Sequence, residues 1–249
     1  MNTLVIAAAQ SISIAGDLPA NIARHQHLIQ AAAAQGVQLL VFPELSLTGY
    51  ERGLAAELAI APDAQVLQPL RDVARKLGIS AVVGIPIRLS PTGPVLIGAL
   101  VLAADGSLGI YSKQHLHAGE EAAFAPGSGG PVLALGVDRV ALAVCADFSH
   151  ASHAAAAAAN GANIYAAGVL ITEGGYAPDT TLLQGYAAEH SMVVLMANHA
   201  GTTGGWESAG RSAIWAADGS LIAAAHGVGE LLVIARRNSG IWSGQVAQV

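Results

Sequence analysis

A thiol, a carboxylate and an ammonium each close an apolar run in this sequence. Cys145 ends V-A-L-A-V-C ahead of the polar A-D-F-S-H, Glu44 follows L-L-V-F-P, and Lys113 closes G-I-Y-S-K. Together they supply a nucleophile, a proton acceptor and a cation able to hold developing negative charge, which are the parts that nucleophilic catalysis by sulfur requires. Each also has an ordinary structural use. A free cysteine commonly packs as a small hydrophobe, a carboxylate at a strand end is commonly a solvated turn residue, and a lysine there commonly protects a sheet edge. Position favours chemistry for Cys145, because α/β sheets bind ligands at the carboxyl ends of their strands. The N-terminus of the helix expected just after it would stabilise a thiolate.

Other constellations fall short. Gly-x-Ser-x-Gly does not occur, and G-S-G-G at Gly127–Gly130 is a loop without the strand-to-helix setting of a serine nucleophile. Histidine pairs stand at His25/His27, His115/His117 and His150/His153, with no His-Glu-x-x-His and no cysteine pair beside them. They read as surface or supporting histidines, and no metal is expected. The Gly-rich G-T-T-G-G-W lacks the Lys-Ser/Thr of a phosphate loop, so neither ATP nor another cofactor is implied.

The elements that must position these residues follow from hydrophobic period. Strands are expected at Leu4–Gln10, Leu39–Pro43, Ser80–Ile87, Ile97–Ala103, Ser107–Ser112, Val140–Cys145, Asn163–Ala167, Val193–Ala197, Ser212–Trp215, Leu221–Ala225 and Leu231–Ala235. Helices are expected at Pro19–Gln35, Asp63–Leu77, Ala151–Asn160 and Pro178–His190. The two A-A-D-G-S-L segments, Ala103–Leu108 and Ala216–Leu221, are Asp-Gly hairpin turns between apolar runs. Hairpins combined with strand–helix units imply mixed sheets. No linker or composition shift divides the chain, which reads as one domain over residues 1–249.

Composition excludes several classes. Hydrophobic residues are 53% of the chain and charged residues 11%, against about 25% charged in ordinary soluble domains; mean hydropathy is +0.51. The apolar runs Val95–Ala104 and Ser191–Ala197 are far shorter than a membrane span requires. Part of the surface is therefore expected to be covered by other subunits. The opening segment has no positive n-region and reads as a buried strand rather than a leader. The single cysteine fits a reducing cytoplasm. A net charge of −6 with no basic patch gives no footprint for nucleic acid. A small, weakly charged or neutral molecule is the expected partner.

Taken in order, three segments resemble the nitrilase superfamily of carbon–nitrogen hydrolases. F-P-E-L-S-L-T-G-Y at Phe42–Tyr50 is similar to its glutamate motif, Y-S-K-Q-H-L at Tyr111–Leu116 to its lysine motif, and V-C-A-D at Val144–Asp147 to its nucleophile motif. The motif residues stand 69 and 32 positions apart. V-I-A-A-A-Q near the start, E-x-x-x-F-x-P-G from Glu120 to Gly127 and G-R-S-A-I-W-A-A-D-G from Gly210 to Gly219 extend the resemblance over nearly the whole chain.

The resemblance implies a four-layer α-β-β-α sandwich that assembles as a homodimer or larger homo-oligomer, and an amidase-type enzyme. Cys145 would attack the substrate carbon, Lys113 and the Ala146 backbone N–H would hold the oxyanion, and Glu44 would relay protons. Glu120 matches the family's second glutamate, with Glu121 adjacent, and the pocket wall would include Tyr50, Phe148 and Trp206. Two departures narrow the substrate. Ser149 stands where many members carry an arginine, which disfavours carbamoyl amino acids, and the short C-terminus disfavours a true nitrilase. A small aliphatic or ω-amide is the expected substrate; a nitrile, a carbamoyl compound, or an inactive binding subunit are the competing readings.

Overall fold

The computed structural model describes residues 3–249, so the first two residues of the opening segment lie outside the described residues. The first half of the chain runs β1 (Leu4–Gln10), α1 (Leu18–Ala34), β2 (Leu39–Val41), α2 (Ala55–Leu58), α3 (Gln68–Leu77), β3 (Ser80–Ile87), β4 (Leu96–Leu102) and β5 (Leu108–Ser112). The second half runs β6 (Leu133–Leu135), β7 (Asp138–Val144), α4 (Ala151–Ala159), β8 (Ile164–Val169), α5 (Glu173–His190), β9 (Val193–Asn198), β10 (Ala213–Trp215), β11 (Leu221–Ala224), β12 (Leu231–Asn238) and β13 (Ile241–Gln248).

These strands form two mixed sheets, ordered β13-β12-β1-β2-β3-β4-β5 and β11-β10-β9-β8-β7-β6. Each has three parallel strands at its centre, β1-β2-β3 and β7-β8-β9, flanked by antiparallel neighbours. The parallel strands are apolar on both faces because both are covered. In β1, Leu4, Ile6 and Ala8 face the other sheet, while Val5, Ala7 and Ala9 pack with Leu28 and Ile29 of α1 and Leu70 of α3. In β8, Ile164 and Ala166 join the inter-sheet core, while Tyr165 and Ala167 pack with Ala154 of α4 and Leu183 of α5. Alternation along each strand thus produces the expected α-β-β-α layers.

Local signals account for the boundaries. Asp17 caps α1 by accepting from the Ala20 N–H, and Gly78 ends α3 in the left-handed region. Both Asp-Gly turns form, with the Asp105 and Asp218 side chains accepting from Ser107 and Ser220.

Several elements differ from expectation. The β6 and β13 strands were not expected: β6 has three residues, and β13 is a largely exposed edge strand whose polar I-W-S-G-Q-V-A-Q is held by pairing with β12 along its whole length. Residues 65–67 form a 3₁₀ turn that precedes α3. The α5 helix starts five residues before Pro178, because Arg211 anchors its first turn through an ion pair with Glu173 and a hydrogen bond from Tyr176. The strand expected through Pro43 ends at Val41, and the one expected through Cys145 ends at Val144. The chain therefore turns at both candidate residues. No helix among the described residues is long and apolar enough to cross a membrane.

Candidate active site

Phe42–Glu44 leaves β2 across two glycines. A Cβ on Gly84 of β3 would lie 2.6 Å from the Pro43 oxygen, and one on Gly168 of β8 would lie 2.6 Å from the Phe42 oxygen. Glycine at both positions lets the two sheets close on this segment. The turn continues through Leu45 in the left-handed region (φ 51°). Below it, the His25 ring stacks on Phe42 at 4.1 Å, and its Nδ1–H donates to the Asn21 oxygen. Burial lowers the pKa of His25 to about 3, so the neutral ring accepts from Ser46 through Nε2. His199, lowered by burial to about 4, donates Nε2–H to the Glu44 backbone carbonyl oxygen at 2.7 Å. Two neutral histidines thus hold the glutamate segment without adding charge beside it.

Lys113 follows β5 and is fully buried. Its Nζ donates to Glu44 Oε1 at 2.6 Å and to Glu120 Oε1 at 2.7 Å. The Tyr50 hydroxyl donates to the same Glu120 oxygen at 2.6 Å, and the His117 N–H donates to Glu120 Oε2. Glu121 is exposed and accepts from Gly119 instead, so Glu120 is the glutamate brought to the lysine.

Cys145 opens a 3₁₀ turn with φ 43°, a left-handed conformation for a non-glycine residue. The fully buried Asp147 carboxylate anchors that turn. It accepts from Val144 N–H, from Gln114 and His115 N–H, and from the Tyr111 hydroxyl, tying the nucleophile turn to the segment just past Lys113. Tyr111 also meets His153, which bonds Tyr165, while His115 stacks on His150. These histidines are occupied by tyrosines, Asp147 and each other, and no group of three or more metal-ligating side chains forms among the described residues.

One lysine between two buried carboxylates leaves the site short of positive charge. Burial raises the pKa of Glu44, Lys113 lowers it and Glu120 raises it, for a value of about 7. Burial and the Glu44 charge hold the Cys145 thiol well above its ordinary value despite Lys113. A 3₁₀ turn stands between the cysteine and α4, and burial of the thiol opposes the thiolate that a nearby helix N-terminus favours. Burial alone would lower Lys113, but Glu44, Cys145 and Glu120 raise it, so it remains an ammonium.

Glu44, Cys145 and Ala146 line a cavity of about 260 Å³, together with Tyr50, Phe148 and the partly exposed Trp206. Glu44 Oε2 has no hydrogen-bond partner among the described residues. Glu44, Tyr50, Cys145, Ala146, Phe148 and Trp206 therefore share one cavity, and Lys113 and Glu120 join it through the hydrogen bonds of Lys113, whereas Glu121 stays outside. Asp147 and His199 were not singled out, although Asp147 stands in V-C-A-D and His199 follows an apolar run, the signal that had marked Glu44 and Cys145.

A family model described as carbon-nitrogen hydrolase matches residues 5–242. The chain belongs to this family, the nitrilase superfamily, and is a carbon–nitrogen hydrolase. A nitrilase of Pyrococcus abyssi is 33% identical over 202 residues, 78% of this chain and 74% of that protein. Among solved structures, a mutant of the amidase from Nesterenkonia sp. AN1, bearing the acetamide moiety of fluoroacetamide on its active-site cysteine, matches with a TM-score of 0.84 and 29% identity, covering 93% of this chain and 89% of that one. A cysteine-to-alanine mutant of the same amidase in complex with butyramide matches with a TM-score of 0.85 over 95% and 92% of the two chains.

Proposed function

We propose that this chain is a one-domain amidase that hydrolyses a small aliphatic or ω-amide through a Cys145 thioester. The observation that carries the reading is Lys113 Nζ held 2.6 Å from Glu44 and 2.7 Å from Glu120, beside a thiol that opens on the same small cavity. At about 260 Å³ the cavity lies just below the ~300–1,000 Å³ usual for ligand pockets, which suits a short amide. The butyramide complex of the similar amidase supports the same class.

Cys145 starts as a thiol. As sulfur attacks the carbonyl carbon, Glu44 takes the thiol proton through its free Oε2, and Lys113 with the Ala146 N–H holds the oxyanion. Collapse breaks the C–N bond, and the proton on Glu44 leaves with ammonia. A water then gives a proton to Glu44 and attacks the thioester; that proton returns to sulfur as the acid departs. Glu120, bonded to Lys113, Tyr50 and His117, keeps the ammonium in place.

Ammonia release from a panel of acetamide, propionamide and butyramide tests the reading, with the acyl group read as added mass on Cys145. Release that persists in Cys145→Ala would overturn it. The relative named as a nitrilase makes nitriles the competing substrate, so the panel includes the matching nitriles; faster acid formation from these would replace the amide. The low charge content supports a homodimer or larger homo-oligomer, and the lone thiol supports a cytoplasmic setting. Light scattering in solution reads the assembly directly.

A further inference from the structure

Two charges on the cavity wall have no part in the bond-breaking chemistry. Arg52 comes from the 3₁₀ turn after Tyr50, and Asp179 comes from the second turn of α5; both line the cavity that holds Glu44 and Cys145. Neither has an oppositely charged group within 4.0 Å among the described residues. Arg52 donates Nη1 to the Gly119 oxygen and rests over the Tyr50 ring, leaving the rest of its guanidinium unbonded. Asp179 is half-buried, and burial raises its pKa, with His117 the only charge opposing the shift. Gly175, one turn earlier, gives it room: a Cβ there would lie 3.2 Å from Asp179 Oδ2. Two partly desolvated, unpaired charges are costly to keep unless a ligand pairs them.

We propose that Arg52 and Asp179 read the far end of the substrate, and that the amide turned over here carries an α-amino acid group, its carboxylate toward Arg52 and its ammonium toward Asp179. This rests on the amidase reading above. A purely cationic amide would satisfy Asp179 while bringing a like charge into the cavity with Arg52, and a purely anionic one would do the reverse. A zwitterion alone pairs both. Apart from Glu44 and Cys145, the remaining titratable wall group is His117, which acts on Asp179, so a substrate ammonium competes with that imidazole for the carboxylate; Tyr50, Ser149, Thr172 and Trp206 bring no charge to the wall.

The test compares kcat/KM for L-asparagine and L-glutamine with that for neutral butyramide, cationic 4-aminobutanamide and anionic succinamate. The better zwitterion is expected to exceed butyramide by about tenfold or more, as one well-placed ion pair would provide. Asp179→Asn and Arg52→Gln are each expected to lower that ratio by about tenfold, a readout in which a loss of folded enzyme cancels. Equal or better turnover of butyramide, 4-aminobutanamide or succinamate, or a ratio unmoved in both variants, would overturn the charge-reading subsite and leave the amidase reading standing. Hydrolysis of no amide at all would overturn the amidase reading and this inference with it.

Discussion

Glu44 and Cys145 lie in surroundings that burial makes hostile to negative charge, and among the described residues Lys113 is the cation bonded to Glu44. The sign of the pH dependence follows. Glu44 is raised to about 7 and acts as a base only when ionised, so kcat/KM should climb as pH rises through an acid limb near 7 and level off above it. Lys113 is raised and the thiol is raised, so neither imposes a limb in the same range. Glu44→Gln should remove nearly all activity, and the residual rate should have lost the limb; a limb that survives the substitution would assign it to another group. The residue types were legible in the sequence because a thiol, a carboxylate and an ammonium each ended an apolar run. Their proton affinities were not, since these depend on the desolvation and mutual distance that folding imposes on residues far apart in the chain.

At the scale of elements, the glutamate segment is gripped between strands of both sheets, and the nucleophile turn is held to the lysine segment by one aspartate. Gly168→Ala would place a methyl 2.6 Å from the Phe42 oxygen, where backbone must move. The expected cost is about 1–3 kcal/mol in a urea titration, with kcat/KM lowered about 10²-fold by displacement of Glu44. Gly185→Ala is the control: nothing lies within 4 Å of its added methyl on the exposed face of α5, so stability should rise by about 0.5–1 kcal/mol. Asp147→Asn keeps the shape but replaces one acceptor oxygen with a donor among four donors. It should slow alkylation of Cys145 and lower kcat more than it raises KM, because it loosens groups that act in the transition state. An unchanged kcat would limit Asp147 to stability alone. Strand and helix cores were legible from their apolar period, whereas β6 and β13 were not, because a short or exposed edge strand owes its form to its neighbour.

Across the whole molecule, a partly buried ion pair joins the two sheets: Arg237 of β12 bonds both oxygens of Asp138 of β7, at 2.8 and 2.6 Å. Burial pushes the Asp138 carboxyl up, but its bonds from Arg237 and Asn163 bring it below its ordinary value. A depressed folded pKa stabilises the protein above the unfolded value of 3.8, and that stability is lost as pH falls through the lower folded value. Asp138→Asn should therefore cost about 1.5–3 kcal/mol in urea near pH 7, with the gap narrowing below about pH 4; a gap constant with pH would refute the linkage. By itself the sequence determined the family and the layer pattern and pointed to Glu44, Lys113 and Cys145 as the proposed catalytic set, because motif chemistry and apolar period are local properties of a chain. Only the tertiary structure decided that Glu120 rather than Glu121 meets Lys113, that Asp147 ties two distant segments, and that Arg52 and Asp179 share one cavity. Each of these depends on where separate elements pack, and no local pattern records that.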